Sequence, residues 1–233
     1  MSQEQINREK QAAAQAAAEM VRSGMVIGLG TGSTAEFAIH ALAERVASGL
    51  KIVGIPTSKQ SETLARSCGV PLTDFQSVDR VDLTIDGADE IEPRTLAVLK
   101  GRGGALVREK LVASASESMV IIADSSKVVS QLGSHHSVPV EVLPFGWHIP
   151  SKRLTELGGN VALRTISAGN SPFVSDNGNL ILDVAFGPID DPERLAASIK
   201  AITGVVDHGL FIRLADQALV GTDTGVNLLT PKR

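Results

Sequence analysis

Met25-Val26-Ile27-Gly28-Leu29-Gly30-Thr31-Gly32-Ser33-Thr34 is the stretch from which the fold can be read. It opens on a short apolar run of the kind a buried strand needs, and its glycines supply a tight turn into a helix over residues 33–46. Strand, turn and helix in that order begin a βαβ unit. Working outward, residues 51–55 read as a second strand, 58–66 as a second helix, and 81–85 and 119–123 as further strands. A helix over residues 105–115 lies between those last two. Upstream, residues 3–22 form an alanine-rich helix that stops at Ser23-Gly24, with Ile6, Ala13, Ala17 and Met20 as its packing stripe. The alternation predicts an α/β fold: a Rossmann-like, mainly parallel sheet with helices on both faces.

After Leu132 the pattern changes. Residues 138–143 alternate as a strand, 151–157 read as a short helix, and 191–202 as another, with Pro192 in its first turn. Phe173-Val174-Ser175 and Leu180-Ile181-Leu182 flank Asp176-Asn177-Gly178-Asn179, a hairpin signal. These features predict a small α+β (ferredoxin-like) insert over residues 133–210. Residues 1–132 and 211–233 then form the Rossmann-like catalytic domain, with 218–221 returning to its sheet.

The chain has 233 residues, 43% apolar and 21% charged, which suits one large domain, or one domain with an insert, around a substantial core. That balance excludes disordered and collagenous chains. A net charge of −4 argues against a general nucleic-acid binder, and six Phe, one Trp and no Tyr leave little for stacking on single strands. Cys68 is the only cysteine, so neither an internal disulfide nor a cysteine-cluster metal site is expected. The polar first ten residues do not read as a secretory signal, and no run of about 18 apolar residues is present to span a bilayer. The expectation is a cytoplasmic protein with neither a membrane nor a nucleic-acid partner.

Four segments have the residue types for chemistry. In Gly30-Thr31-Gly32-Ser33-Thr34 the glycines allow close approach of a ligand, and Ser33 and Thr34 are placed to cap a helix whose N-terminus favours an anion. A phosphate fits there; the alternative is a merely tight turn. The spacing is not G-x-G-x-x-G, no Walker lysine follows, and residues 51–55 bring no acid for a dinucleotide ribose. In Asp86-Gly87-Ala88-Asp89-Glu90, three carboxylates crowd the carboxyl end of a strand and repel one another unless a cation, a ligand hydroxyl or a proton intervenes. A solvated turn with an Asp cap is the competing reading, and the spacing of an EF-hand is missing.

Lys100-Gly101-Arg102-Gly103-Gly104 leads into a helix on which Leu106, Glu109, Val112 and Ala113 share one face. Glu109 thus lies on the apolar stripe, where burial raises a carboxyl pKa as a general base requires; the competing reading is a solvated Glu. Lys127, just after the strand at 119–123, is equally readable as a ligand contact or as surface charge. The five histidines show no metal-ligand spacing, and no G-x-S-x-G elbow occurs.

Together and in this order, these segments resemble ribose-5-phosphate isomerase type A. The matching stretches are GTGST from Gly30, DGADEI from Asp86, KGRGGALVREK from Lys100, ADSSK from Ala123, PVEV from Pro139, DNGNLILDV from Asp176 and GLF from Gly209. The resemblance covers nearly the whole chain. It implies an aldose–ketose isomerase, free of metal and cofactor, that interconverts ribose 5-phosphate and ribulose 5-phosphate as a homodimer or homotetramer. It implies substrate contacts from Thr31, Gly32, Ser33 and Thr34, from Asp86, Gly87, Ala88 and Asp89, and from Lys100, Gly101, Arg102 and Gly103, with Lys127 as a further contact. Glu109 corresponds to the catalytic base. Asp86, Asp89 and Lys100 act with it: the two aspartates grip hydroxyls, Asp86 assists ring opening, and Lys100 stabilises charge on oxygen. An N-terminal lysine that helps hold the phosphate matches Lys10. Arg102 interrupts the family's glycine run, which leaves the substrate role of position 102 open: its backbone can still contribute while the guanidinium points to solvent.

Two other functions compete with this one. A non-catalytic sugar-phosphate sensor of related fold would keep the phosphate loop, but this chain lacks a basic helix-turn-helix segment and retains Glu109 and Lys100. A nucleotide-dependent oxidoreductase is suggested only by the glycine turn, and the missing ribose-binding acid counts against it.

Overall fold

A computed structural model of the chain describes residues 1–166 and 171–231. Helix α1 (Gln3–Glu19) starts where Ser2 Oγ accepts the amide of Gln5, and it ends before the expected residue 22. Its buried residues are Glu9, Ala13, Ala14, Ala17 and Ala18, so the alanines let it lie close on the sheet. Ile6, expected on the stripe, is only half-buried, and a glutamate takes the place next to the alanines. Strand β1 (Val26–Leu29), helix α2 (Ser33–Ala47), strand β2 (Val53–Pro56), helix α3 (Lys59–Ser67) and strand β3 (Leu83–Gly87) follow in the expected alternation. Strand β3 runs through Asp86 and Gly87, beyond the end expected from its apolar run. Two-residue strands β4 (Glu90–Ile91) and β5 (Val98–Leu99) precede helix α4 (Leu106–Ser114) and strand β6 (Met119–Asp124).

The next elements are β7 (Val138–Val142), α5 (His148–Glu156), β8 (Asn160–Leu163), β9 (Leu180–Ala185), α6 (Pro192–Lys200) and β10 (Val205–His208). They form a β-α-β-β-α-β unit whose antiparallel sheet has the order β10-β7-β9-β8, the ferredoxin-like arrangement. The hairpin expected around Asn177-Gly178 is reduced to one bridge, Val174 to Leu180, because β8 occupies the edge of β9 that a hairpin partner would need. Residues 167–170 of the expected insert, and residues 232–233 of the expected catalytic domain, lie outside the described residues.

Strands β11 (Leu210–Phe211), β12 (Gln217–Thr222) and β13 (Gly225–Leu229) complete the chain. The main sheet has the order β13-β12-β6-β3-β1-β2, parallel except for the β12–β13 pair, which is the expected mainly parallel α/β sheet. Its core gathers Ile27, Leu29, Leu83, Ile85 and Ile122 against α1 and α2. A separate core around Val140, Leu182, Leu154 and Ile199 holds the antiparallel sheet to its helices. β11 pairs with β5, and its two residues divide between cores: Leu210 packs with the antiparallel sheet and Phe211 with Ile121 and Val220 of the main one.

Candidate active site

The main sheet reverses its winding beside β1, since β2 lies on one side of it and β3 on the other. In open α/β sheets ligands collect at the carboxyl ends of the strands beside such a reversal. The loops after β1 and β3 meet there and border a cavity of about 330 Å³. One wall is Thr31 to Thr34; the facing one is Gly87, Ala88 and Asp89, continued by Lys100 to Gly103. Glu109 reaches it from α4, Lys10 from α1 and Lys127 from the short turn after β6.

One end of the cavity lies at the start of α2. Gly32, with φ of 99°, occupies the N-cap, and no side chain caps the helix. Ser33 and Thr34 were expected to cap; they are instead the first two helical residues, one and two positions past the cap. The positive end of the helix dipole therefore stays open toward the cavity. Lys10 Nζ donates to Ser33 Oγ at 2.9 Å, which brings an ammonium to the same spot. Thr31 turns its own polar groups inward: its amide donates to Asp86 Oδ1, and its hydroxyl lies within hydrogen-bonding distance of Thr57, Ser58 and Ser61.

The three crowded carboxylates part company. Glu90 leaves the cavity and accepts the amides of Gly133, His135 and His136, so it pins a loop. Asp89 lines the cavity and accepts the amide of Arg102 at 3.0 Å. That amide is thereby used within the protein, while the exposed Arg102 side chain stays at the rim. Asp86, expected to grip substrate and open its ring, does not line the cavity. It is 0% exposed, its Oδ1 accepts the amides of Thr31 and Gly87, and its Oδ2 faces Lys100 Nζ at 3.0 Å.

Lys100 and Glu109 make the chemical centre. The Lys100 ammonium donates to Gly87 O at 2.6 Å and stands 3.3 Å from Glu109 Oε1. Burial works against the Lys100 charge, but the carboxylates of Asp86 and then Glu109 outweigh it and hold the pKa above the usual ammonium range. Glu109 lies on the buried face of α4 with Leu106, Val112 and Ala113, the stripe read from the spacing. Burial pushes its pKa up to about 8, Lys100 opposes that rise, and Asp86 adds to it. Glu109 Oε2 has no partner among the described residues. A carboxyl with a free oxygen and a pKa near neutrality can both take and return a proton.

The chain matches the family model for ribose 5-phosphate isomerase A (phosphoriboisomerase A) over residues 53–225. It belongs to the ribose-5-phosphate isomerase A family. A ribose-5-phosphate isomerase A of Thermomicrobium roseum is 55% identical over 226 residues, covering 97% of this chain and 95% of that protein. The structure of ribose 5-phosphate isomerase A from Methanocaldococcus jannaschii superposes with a TM-score of 0.91 at 41% identity, over 95% of this chain and 97% of that one. A D-ribose-5-phosphate isomerase in complex with phospho-erythronic acid does so with a TM-score of 0.93 at 37% identity, over 97% and 99% of the two chains.

In this member of the family two supporting groups escaped the sequence reading. Glu9, 2% exposed, accepts both the amide and the hydroxyl of Ser125, and so ties the helix that carries Lys10 to the turn that carries Lys127. Its position four residues before Ala13, on the alanine stripe, is the signal that could have found it. The Thr57, Ser58 and Ser61 hydroxyls hold Thr31 from behind, and Ser61 Oγ also donates to Gly30 O at 2.6 Å. Ser58 caps α3 by accepting the amide of Ser61, and the same serines serve under the glycine turn, a duty no local spacing signals.

Proposed function

We propose that the protein interconverts D-ribose 5-phosphate and D-ribulose 5-phosphate by proton transfer through a cis-enediolate, with Glu109 as the base. The observation that carries this reading is a buried Lys100–Glu109 pair at 3.3 Å on the wall of a cavity that also presents an open helix N-terminus. The phosphate of the substrate sits over the start of α2, with Lys10 and Lys127 neutralising it. This anchoring positions a small, flexible sugar for reaction. Asp89, which faces the cavity, grips a hydroxyl and assists ring opening; Asp86 acts through Lys100 by keeping its ammonium charged. Glu109 removes the proton from C2 of the open aldose and returns it to C1, while the O2 hydroxyl proton passes to O1. Lys100 and the neighbouring backbone amides stabilise the negative charge that develops on oxygen.

The reaction as drawn uses no metal or cofactor. Residues 1–132 and 211–233 are assigned to the catalytic domain and 133–210 to the smaller one. The enzyme is placed in the pentose phosphate interconversions of the cytoplasm, as a homodimer or homotetramer. A non-catalytic sensor has no use for a buried carboxyl of raised pKa beside an ammonium, which disfavours that alternative. The test is formation of ketose from ribose 5-phosphate by the purified protein, with and without exhaustive chelation. Turnover that survives chelation is expected; no turnover overturns the activity, and loss on chelation overturns the metal-free mechanism.

A further inference from the structure

Arg164 follows β8 and stands outside the cavity, behind the loop of residues 101–103. There, with Asp183 and His136, it lines a second hollow of about 270 Å³. All three of its guanidinium nitrogens donate. Nε donates to Asp183 Oδ2 at 2.9 Å and Nη2 to Asp183 Oδ1, the two-pronged pairing that fixes a guanidinium plane. Nη1 donates to two carbonyls of the active-site loop, Gly101 O at 3.0 Å and Arg102 O at 2.9 Å.

In a trans peptide the carbonyl and the N–H point in opposite directions. Fixing Gly101 O on Arg164 therefore turns the Arg102 amide away, and it lands on Asp89 Oδ2 at 3.0 Å. Fixing Arg102 O turns the Gly103 amide away in the same manner. Gly103 lines the cavity, and among the described residues no group accepts a hydrogen bond from its amide. The loop has little stiffness of its own: Gly101 has φ of 99°, and Gly103 and Gly104 follow close behind.

We infer that Arg164 is a positioning residue for the isomerase reaction. Clamped by Asp183, it holds the two peptide planes so that the Gly103 amide serves as a donor to the substrate oxygen that gains charge, and Asp89 stays in register. This rests on the cavity being the isomerase site. Losing one such donor costs about 10²–10³-fold in turnover, and a loop that still visits the right geometry loses less.

The test uses the full-length enzyme carrying Arg164→Ala, Arg164→Lys and Asp183→Asn, with Glu109→Gln assayed in parallel. For Arg164→Ala the expected result is a fall in kcat of about 10–100-fold. The KM for ribose 5-phosphate and the inhibition by inorganic phosphate should stay within about threefold, because the phosphate end lies at α2. Guanidinium at millimolar concentration should restore much of the lost kcat, and ammonium at the same concentration should not. Arg164→Lys should resemble Arg164→Ala, since one ammonium lacks the fork that spans Asp183 and two carbonyls. Asp183→Asn should fall between these variants and wild type. A kcat for Arg164→Ala within twofold of wild type, or a loss that guanidinium does not recover, overturns the inference. If Glu109→Gln keeps wild-type turnover, it is the reading of the cavity that fails instead.

Discussion

Lys100 Nζ stands 3.3 Å from Glu109 Oε1, and both side chains are almost wholly buried. The same ammonium is 3.0 Å from Asp86 Oδ2, so one cation serves two carboxyls, Asp86 sealed behind it and Glu109 at the cavity wall. In such surroundings a charge without its partner is costly, and the proton distribution within the cluster becomes the enzyme's working variable.

Glu109→Gln keeps the shape of the side chain and removes its basicity. Its kcat should fall by about 10²–10⁴-fold, the share that a general base contributes, with KM for ribose 5-phosphate changed by less than about threefold. Steady-state kinetics on the purified variant check this, and a near-normal kcat would take Glu109 out of the role.

The pH dependence has a definite sign. As the proposed base Glu109 must be a carboxylate, and its pKa in the free protein is pushed up to about 8 by burial. A logarithmic plot of kcat/KM should therefore climb with pH below about 8 and level off above it. The residual activity of Glu109→Gln should lack that rising limb. A profile already flat from pH 6 upward contradicts the assignment.

In the proposed binding mode, Lys10→Ala and Lys127→Ala remove charge where the phosphate sits and leave the Lys100–Glu109 centre intact. Each should raise KM by about tenfold, the value of one charge-assisted hydrogen bond, with kcat nearly unchanged. Competitive inhibition by inorganic phosphate should weaken in parallel. A fall in kcat at constant KM would place these lysines at the reacting carbons instead.

Much of this was legible in the chain. The strand–turn–helix alternation predicts the parallel sheet because each apolar run is long enough to carry its own signal, as residues 119–123 show. Glu109 could be placed on a buried face because helical spacing is a local property. Strands β4, β5 and β11 could not be read, since two residues have no periodicity and form only against each other. Nor could the fate of Asp86 and Glu90, whose orientations depend on distant partners: an ammonium at position 100 and three amides of the 133–136 loop. The role of Arg164 is hidden for the same reason, because its carbonyl partners belong to a different sheet's loop.

His208 sets an acid limit on stability. Burial first, and the Lys110 charge second, lower its pKa from the ordinary 6.5 to about 4, and its Nδ1 accepts the amide of Leu210 at 3.2 Å. Between pH 6.5 and 4 the unfolded chain binds a proton here that the folded one refuses, so stability is whole above 6.5 and is lost as pH falls toward 4. The loss from this group is on the order of 3 kcal/mol. Chemical denaturation of wild type and His208→Asn at pH 7.5 and pH 4.5 should show a smaller pH effect in the variant; equal effects would assign the acid sensitivity elsewhere.

Helix α1 rests on β12 so closely that a Cβ on Gly221 would collide with the carbonyl oxygen of Glu9. Lys10 is the next residue along that helix, so its place at the cavity depends on the seat that β12 gives α1. A methyl group at position 221 would therefore push α1 off the sheet and draw Lys10 away from Ser33, although the two positions lie far apart in the sequence.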